Sequence, residues 1–308
     1  MTDIARLNLV LAVTVFVFAG IVFIGWPKPL PAAASALASP YCTDTALSVD
    51  MQAKAGYARD IQTGEVIYAM NASAQLPLAS LTKLMTVYTA MQTLAYDDEI
   101  TITRDMLEPE GNGIAEGEVW TAIDLSDYTL LSSVNDGARA LAVSASAKAG
   151  GDYGAFIARM NENARTIGLV QTYFANETGL DISETVGASY GSAEDIALLL
   201  EHMYKTTPRL LESTPRHSAV FTAQTGQTHN AKNTSSLIGG LGGAIGSKTG
   251  FTDIAGGNLG ILFEPIPGRP VSAVVLGATR EGRDEDMKAL TEATKKWMTR
   301  MLVCQDDY

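Results

Sequence analysis

"LASLTKLMTV", residues 78–87, begins where a polar, small-residue segment gives way to a helix-like run. Ser80 stands near its start and Lys83 three residues on. Residues at i and i+3 are neighbours on a helix face, so the hydroxyl and the amine can touch. Two readings compete. In the plain one, Ser80 is a helix N-cap and Lys83 a solvated surface lysine. In the other, Lys83 takes the proton of a nucleophilic Ser80. The pair alone does not choose, because S-x-x-K arises by chance about once per 400 positions.

The chain around it has 308 residues, 46% hydrophobic and 18% charged, an ordinary globular composition with length for one large core or two lobes. A net charge of −12 without basic runs argues against nucleic-acid binding and against docking on an anionic membrane surface. No histidine or cysteine spacing predicts a metal site, and no cofactor is implied. His202, His217 and His229 read as structural or exposed.

Arg6 precedes residues 7–26, which carry no charge. As a helix this segment spans about 30 Å, a bilayer core. "PAAASALAS" follows and offers A-x-A cleavage sites. An uncleaved anchor and a cleaved signal both fit, and both export the remainder. The expected division is therefore 1–38 as signal or anchor with linker and 39–308 as the exported catalytic domain, in the periplasm or on the outer face of the cytoplasmic membrane. Cys42 and Cys304 stand near the two ends of the exported part, where an oxidising compartment permits them to pair.

Residues 55–71 read as two strands joined through "DIQTG". From about 85 to 210 the pattern is mostly helical, with Gly168 a C-cap candidate and Ser192/Asp195 an S-x-x-D capping-box variant. Strands return as "HSAVFTA", "GAIGSKTG", "GGNLGILFE" and "PVSAVVLGA", followed by an amphipathic helix over about 281–302. Strands from both ends of the chain must then meet in one antiparallel sheet flanked by helices. The fold class is α/β with an inserted all-α lobe, and the cleft between the lobes is the expected site.

Two further short patterns complete the first: Ser133-Val134-Asn135 in the helical middle and Lys248-Thr249-Gly250 on a predicted strand. The order S-x-x-K, S-x-N, K-T-G resembles that of penicillin-binding proteins and class A β-lactamases. The flanks "TGEVIYAMNASAQLPLASLTKLMT", "LLSSVNDGARALA", "FIARMNENARTIGLVQTYFANETGL" and "GSKTGFTDIAGGNLG" resemble low-molecular-weight penicillin-binding proteins of the D-alanyl-D-alanine carboxypeptidase family, from about 52 to 300. The chain departs from that family's usual pattern at Val134, where glycine is common, and at Thr178, where some members have histidine. Many relatives continue into a β-rich domain and a membrane-binding helix. Here about fifty residues follow the K-T-G, so membrane attachment is expected from residues 7–26.

The resemblance implies a β-lactamase/DD-peptidase-like fold and a serine hydrolase active in peptidoglycan metabolism. Its substrates would be peptides ending in D-Ala-D-Ala, and β-lactams its inhibitors. Ser80 is the implied nucleophile and Lys83 its base, made neutral by burial and by the cation of Lys248. The backbone N–H groups of Ser80 and Phe251 would form an oxyanion hole. Ser133 would relay a proton to the leaving amine, and Asn135 would hold Lys83 and a substrate carbonyl. Lys248, Thr249 and Arg283 would receive the terminal carboxylate, with Arg280 a competitor for Arg283. Gly250 would let the substrate backbone approach the strand edge. A D,D-endopeptidase and a β-lactamase remain alternatives within this chemistry. For the latter, Glu177 is the one nearby carboxylate that could activate a deacylating water, and it lacks the expected E-x-x-L-N context. A non-catalytic wall-binding protein should have lost one of Ser80, Lys83, Ser133 or Lys248, and all are present.

Overall fold

Residues 256–278 are largely apolar on both alternations of the strand period, which predicts strands covered on both faces. In the computed structural model, which describes residues 47–108, 111 and 113–306, they form two strands inside a five-stranded antiparallel sheet. In chain order the strands of this sheet are β1 (Ala55–Asp60), β2 (Val66–Met70), β3 (Ala244–Thr252), β4 (Gly256–Ile266) and β5 (Arg269–Ala278). In space they run β3-β4-β5-β1-β2. Strands from both ends of the chain thus meet as the sequence requires, with β1 beside β5 through Ala55↔Leu276 to Asp60↔Val271. The β1–β2 turn is held by the Asp60 carboxylate, which accepts from the backbone of Gln62 and Thr63 at 2.8 and 3.0 Å.

The two faces have separate cores. On one, Leu259, Ile261, Ala273 and Val275 pack with Met287, Leu290 and Trp297 of the long C-terminal helix, Gly282–Asp306. On the other, Leu262, Val274 and Leu276 join the helical lobe. That lobe holds α1 (Thr82–Ala90), α2 (Ala122–Ser132), α3 (Asn135–Lys148), α4 (Tyr153–Ile167) and α5 (Ala193–Thr206), and the C-terminal helix is α6. Gly168 ends α4 with φ 92°, and Ser192 Oγ accepts from Asp195 N at 3.1 Å. Asp195 does not complete the capping box. Its carboxylate accepts instead from Gln171 N and Thr172 Oγ1, both at 2.7 Å, and so ties α5 to the loop after α4.

The strands depart from the sequence reading in two further places. The mostly helical middle also contains short pieces of sheet: Leu76–Pro77 pairs with Ser189–Gly191, and Glu99–Thr101 with Val119–Thr121. "HSAVFTA" does not enter the main sheet. Ser218–Thr222 pairs with Thr228–Lys232 in a separate hairpin packed on α2. Most of that hairpin's side chains face solvent, so it needs only one covered face.

The predicted membrane segment 7–26 and Cys42, and with it the Cys42–Cys304 pairing, lie outside the described residues. No helix among the described residues is long and apolar enough to cross a membrane.

Candidate active site

Ser80 does not cap α1. It sits in a single 3-10 turn, Ala79–Leu81, that runs directly into that helix, whose N-cap position is Leu81. The turn is forced by its neighbour: Ala79 is buried with φ 47°, a left-handed conformation uncommon for a residue with a Cβ. Thr82 Oγ1 donates to Ala79 O at 2.7 Å and holds it there. The strand wall fits closely against this turn. A Cβ on Gly250 would lie 2.7 Å from Leu78 O and 3.1 Å from Ser80 N. The missing side chain of Gly250 therefore lets β3 approach the turn that carries Ser80, a packing reason that the sequence did not show.

Lys83 has no access to solvent. Its Nζ donates to Ser80 Oγ at 2.9 Å, to Asn135 Oδ1 at 2.7 Å and to the Thr178 carbonyl at 2.7 Å. Burial pushes its pKa down to about 7, against the opposing pull of Glu177 and Glu108. The solvated-lysine reading is thereby excluded. Lys248 is also buried. Its Nζ donates to Ser133 Oγ at 2.9 Å and to Thr249 O at 2.7 Å. Burial first, then the cations of Lys83 and Arg283, hold it well below the ordinary lysine value. Burial is the first cause for both lysines, and each cation disfavours the other across the cleft. Each lysine is bonded to one serine hydroxyl.

Ser133 and Asn135 come from the junction of two helices. Ser133 ends α2 in a left-handed conformation, φ 61°, and Val134 leads into α3 with φ −71°. Nothing there needs glycine at 134: the backbone is extended, and the valine side chain is fully buried in the helical core. Thr178 acts on Lys83 through its carbonyl, so that hydrogen bond does not depend on which side chain stands at 178.

A cavity of about 730 Å³ opens over these groups, lined among others by Ser80, Ser133, Asn135, Thr249, Phe251 and Arg283. Arg283 and Arg280 take different positions. Arg283 is buried and donates to Gly250 O at 3.1 Å and Thr234 O at 2.7 Å. Arg280 is exposed and stacks on the Phe251 ring, 3.8 Å from its centroid. Both line the cavity.

Sequence reasoning missed four contributors. Thr234 shares a hydrogen bond with Thr249 at the hydroxyls. Ser235 and Ser236 fasten that loop to Asp284 at the start of α6. Asn258, opposite Gly250 on β4, donates to Pro77 O at 2.9 Å and accepts from Gly277 N at 2.8 Å, which fixes the strand leading to the Ser80 turn. The hydroxyl run "NTSS" at 233–236 was the only trace of this loop in the sequence.

Glu177 is not in the cleft. It lines a separate cavity of about 280 Å³ with Glu108, Arg139 and Tyr153, and its carboxylate is held by Arg139 and by the Tyr153 hydroxyl. It is not free to activate a water at Ser80. His202 and His229 are likewise outside the cleft lining, hydrogen-bonded to Tyr88 and Glu118.

The sequence pattern of a family described as D-alanyl-D-alanine carboxypeptidase, peptidase family S11, matches residues 42–280. The chain is 30% identical over 254 residues to the D-alanyl-D-alanine endopeptidase of Escherichia coli, covering 81% of this chain and 79% of that protein. It is 29% identical over 227 residues to the D-alanyl-D-alanine carboxypeptidase DacB2 of Mycobacterium tuberculosis, covering 72% and 74%. The fold matches penicillin-binding protein D2 of Listeria monocytogenes in its cefotaxime-bound form, with a TM-score of 0.69 at 29% identity over 80% of this chain and 98% of that one. With a family match across most of its length and the three motifs gathered around one cavity, the chain belongs to the D-alanyl-D-alanine carboxypeptidase family of serine peptidases.

Proposed function

We propose that the chain is a serine D,D-carboxypeptidase that removes the terminal D-alanine from peptidoglycan stem peptides through an acyl-enzyme on Ser80. The observation that carries the reading is the buried Lys83 amine, 2.9 Å from Ser80 Oγ with a pKa of about 7. An amine that is half neutral near that pH can accept the Ser80 proton as the oxygen attacks the carbonyl of the penultimate residue. The Ser80 and Phe251 N–H groups receive the developing oxyanion. The Ser133 hydroxyl, bonded to Lys248, relays a proton from Lys83 or Lys248 to the departing amine of D-alanine, gaining one as it gives one. Asn135 holds Lys83 and donates to a substrate carbonyl. Water then hydrolyses the ester and regenerates Ser80.

Thr249, Lys248 and Arg283 are the carboxylate-binding groups in this reading. An incoming carboxylate would favour the charged form of Lys248 that burial disfavours, so substrate itself draws the cation into being. β-Lactams enter as acylating substrate mimics, a role supported by the cefotaxime-bound form of the Listeria protein. The domain is proposed to act outside the cytoplasm, with residues 1–38 as exporting signal or anchor and Cys42–Cys304 as an oxidised pair. The uncharged segment 7–26 and the location of the substrate support this.

The experiment compares one pentapeptide ending in free D-Ala-D-Ala with its C-terminal amide and with a purified cross-linked dimer. Fast release of D-alanine from the free acid and little from the amide is the expected result. Faster cleavage of the dimer would move the assignment to endopeptidase.

A further inference from the structure

The buried carboxylate of Glu177 lies behind the catalytic amine and has no part in the steps above. We propose that Glu177 is a positioning residue for Lys83: clamped by Arg139 and Tyr153, it fixes the 176–180 loop whose Thr178 carbonyl holds the amine against Ser80. This deepens the reading of Lys83 as the base and rests on it.

The geometry runs through two helix faces. On α1, Lys83 and Thr86 are three residues apart, and they meet successive carbonyls of the loop. Lys83 Nζ donates to Thr178 O at 2.7 Å and Thr86 Oγ1 to Glu177 O at 2.7 Å. On α3, Asn135 and Arg139 are four apart. Asn135 Oδ1 accepts from Lys83 at 2.7 Å, and Arg139 Nη1 donates to Glu177 Oε1 at 3.3 Å. One face of α3 therefore holds the amine directly, and one turn later holds the loop that also holds it. Tyr153, on α4, donates to the other Glu177 oxygen, and the Arg139 guanidinium lies over the Tyr153 ring, 4.4 Å from its centroid. The loop is closed from within by Asn176, which accepts from Gly179 N at 2.7 Å and donates to Leu180 O at 2.9 Å. Gly179, at φ 78°, packs so closely that a Cβ would lie 2.0 Å from Ala79 O. The loop thus touches both the residue before the nucleophile and the base after it.

The same carboxylate acts by charge. The groups acting on Lys83 are Glu177 and Glu108, which favour its cation, and Lys248, across the cleft. Arg139, Tyr153 and Glu108 line one cavity with Glu177, and Asp136 accepts from Glu108 N at 2.7 Å. Removing the Glu177 charge therefore makes Lys83 neutral at lower pH.

The test measures the rate of Ser80 acylation by a labelled penicillin against pH, on the full chain. Glu177→Gln keeps the length of the side chain and an acceptor for Arg139 but removes the charge. Its acid limb should move to lower pH. Glu177→Asp keeps the charge and shortens the reach. Its acid limb should stay, and its plateau should fall about tenfold, since a misplacement of about 1 Å can cost up to a hundredfold. An acid limb of Glu177→Gln that superimposes on the native one overturns the proposal, as does a native plateau for Glu177→Asp. If Glu177→Gln does not fold, the Asp variant decides alone by the same criterion. A native chain that is not labelled at any pH would instead refute the assignment of Ser80 and Lys83.

Discussion

The helical wall of the cleft carries Ser80, Lys83, Ser133 and Asn135, and the strand wall carries Lys248, Thr249, Gly250 and Phe251 with Arg283 behind them. On the helical wall, polar side chains are held by other polar groups from distant elements. Lys83 alone has acceptors from the Ser80 turn, from α3 and from the 176–180 loop. On the strand wall the backbone ladder with β4 sets the positions, and β3 is the last strand of its sheet. An edge strand offers main-chain groups to an extended peptide. The comparison teaches a division of labour. Proton abstraction from Ser80 is assigned to the wall where Lys83 is dry and held by three acceptors, and substrate recognition to the wall where a strand edge is open.

That division is broken most severely at Lys83. Lys83→Met should lower the acylation rate by about 10²–10⁴, the usual contribution of a positioned general base. In the native chain the rate should rise as pH passes about 7, because Lys83 must lose its proton to act and burial brings its pKa to about 7. Rapid-quench labelling with penicillin from roughly pH 5 to roughly pH 9 measures both effects. A limb near the ordinary lysine value would mean that the amine is not buried as described.

The contact between the walls is the next point of attack. Gly250→Ala inserts a Cβ within 2.7 Å of Leu78 O and 3.1 Å of Ser80 N, so the Ser80 turn or β3 must shift. Acylation should fall by about tenfold to a hundredfold, with a stability loss of about 1–3 kcal/mol, read by labelling rate and thermal melting. Native rates in this variant would show that the two walls do not depend on one another.

The smallest effect belongs to the strand wall alone. Thr249→Val removes the hydroxyl proposed to bind the substrate carboxylate and leaves Lys83 and its three acceptors in place. The expected loss is about tenfold in kcat/KM for a free-acid peptide, with little change for the amide. An equal loss on both peptides would assign Thr249 to the chemistry and blur the division.

The legibility of the two walls in the sequence differs from that of their connections. Ser80/Lys83, Ser133/Asn135 and Lys248–Phe251 are each local, and local spacing is visible in one dimension. The sheet was legible because β4 and β5 are largely apolar on both alternations, and because strands at opposite ends of the chain had to find partners. What joins the motifs was not legible. The Arg283 contacts to Gly250 and Thr234, the Asn258 bridge to Pro77 and the Arg139–Glu177–Tyr153 cluster each pair residues from separate elements with no recurring spacing. The strand "HSAVFTA" was misassigned to the main sheet, and its partner Thr228–Lys232 was not seen, because a strand pattern says which face is covered, and not by what.

The central claim is that Ser80 is the acylated residue. The most direct measurement is peptide mapping by mass spectrometry of the protein after treatment with penicillin. A single adduct on the peptide containing Ser80, absent from Ser80→Ala, is the predicted result. An adduct on another residue, or one that persists in Ser80→Ala, would contradict the account.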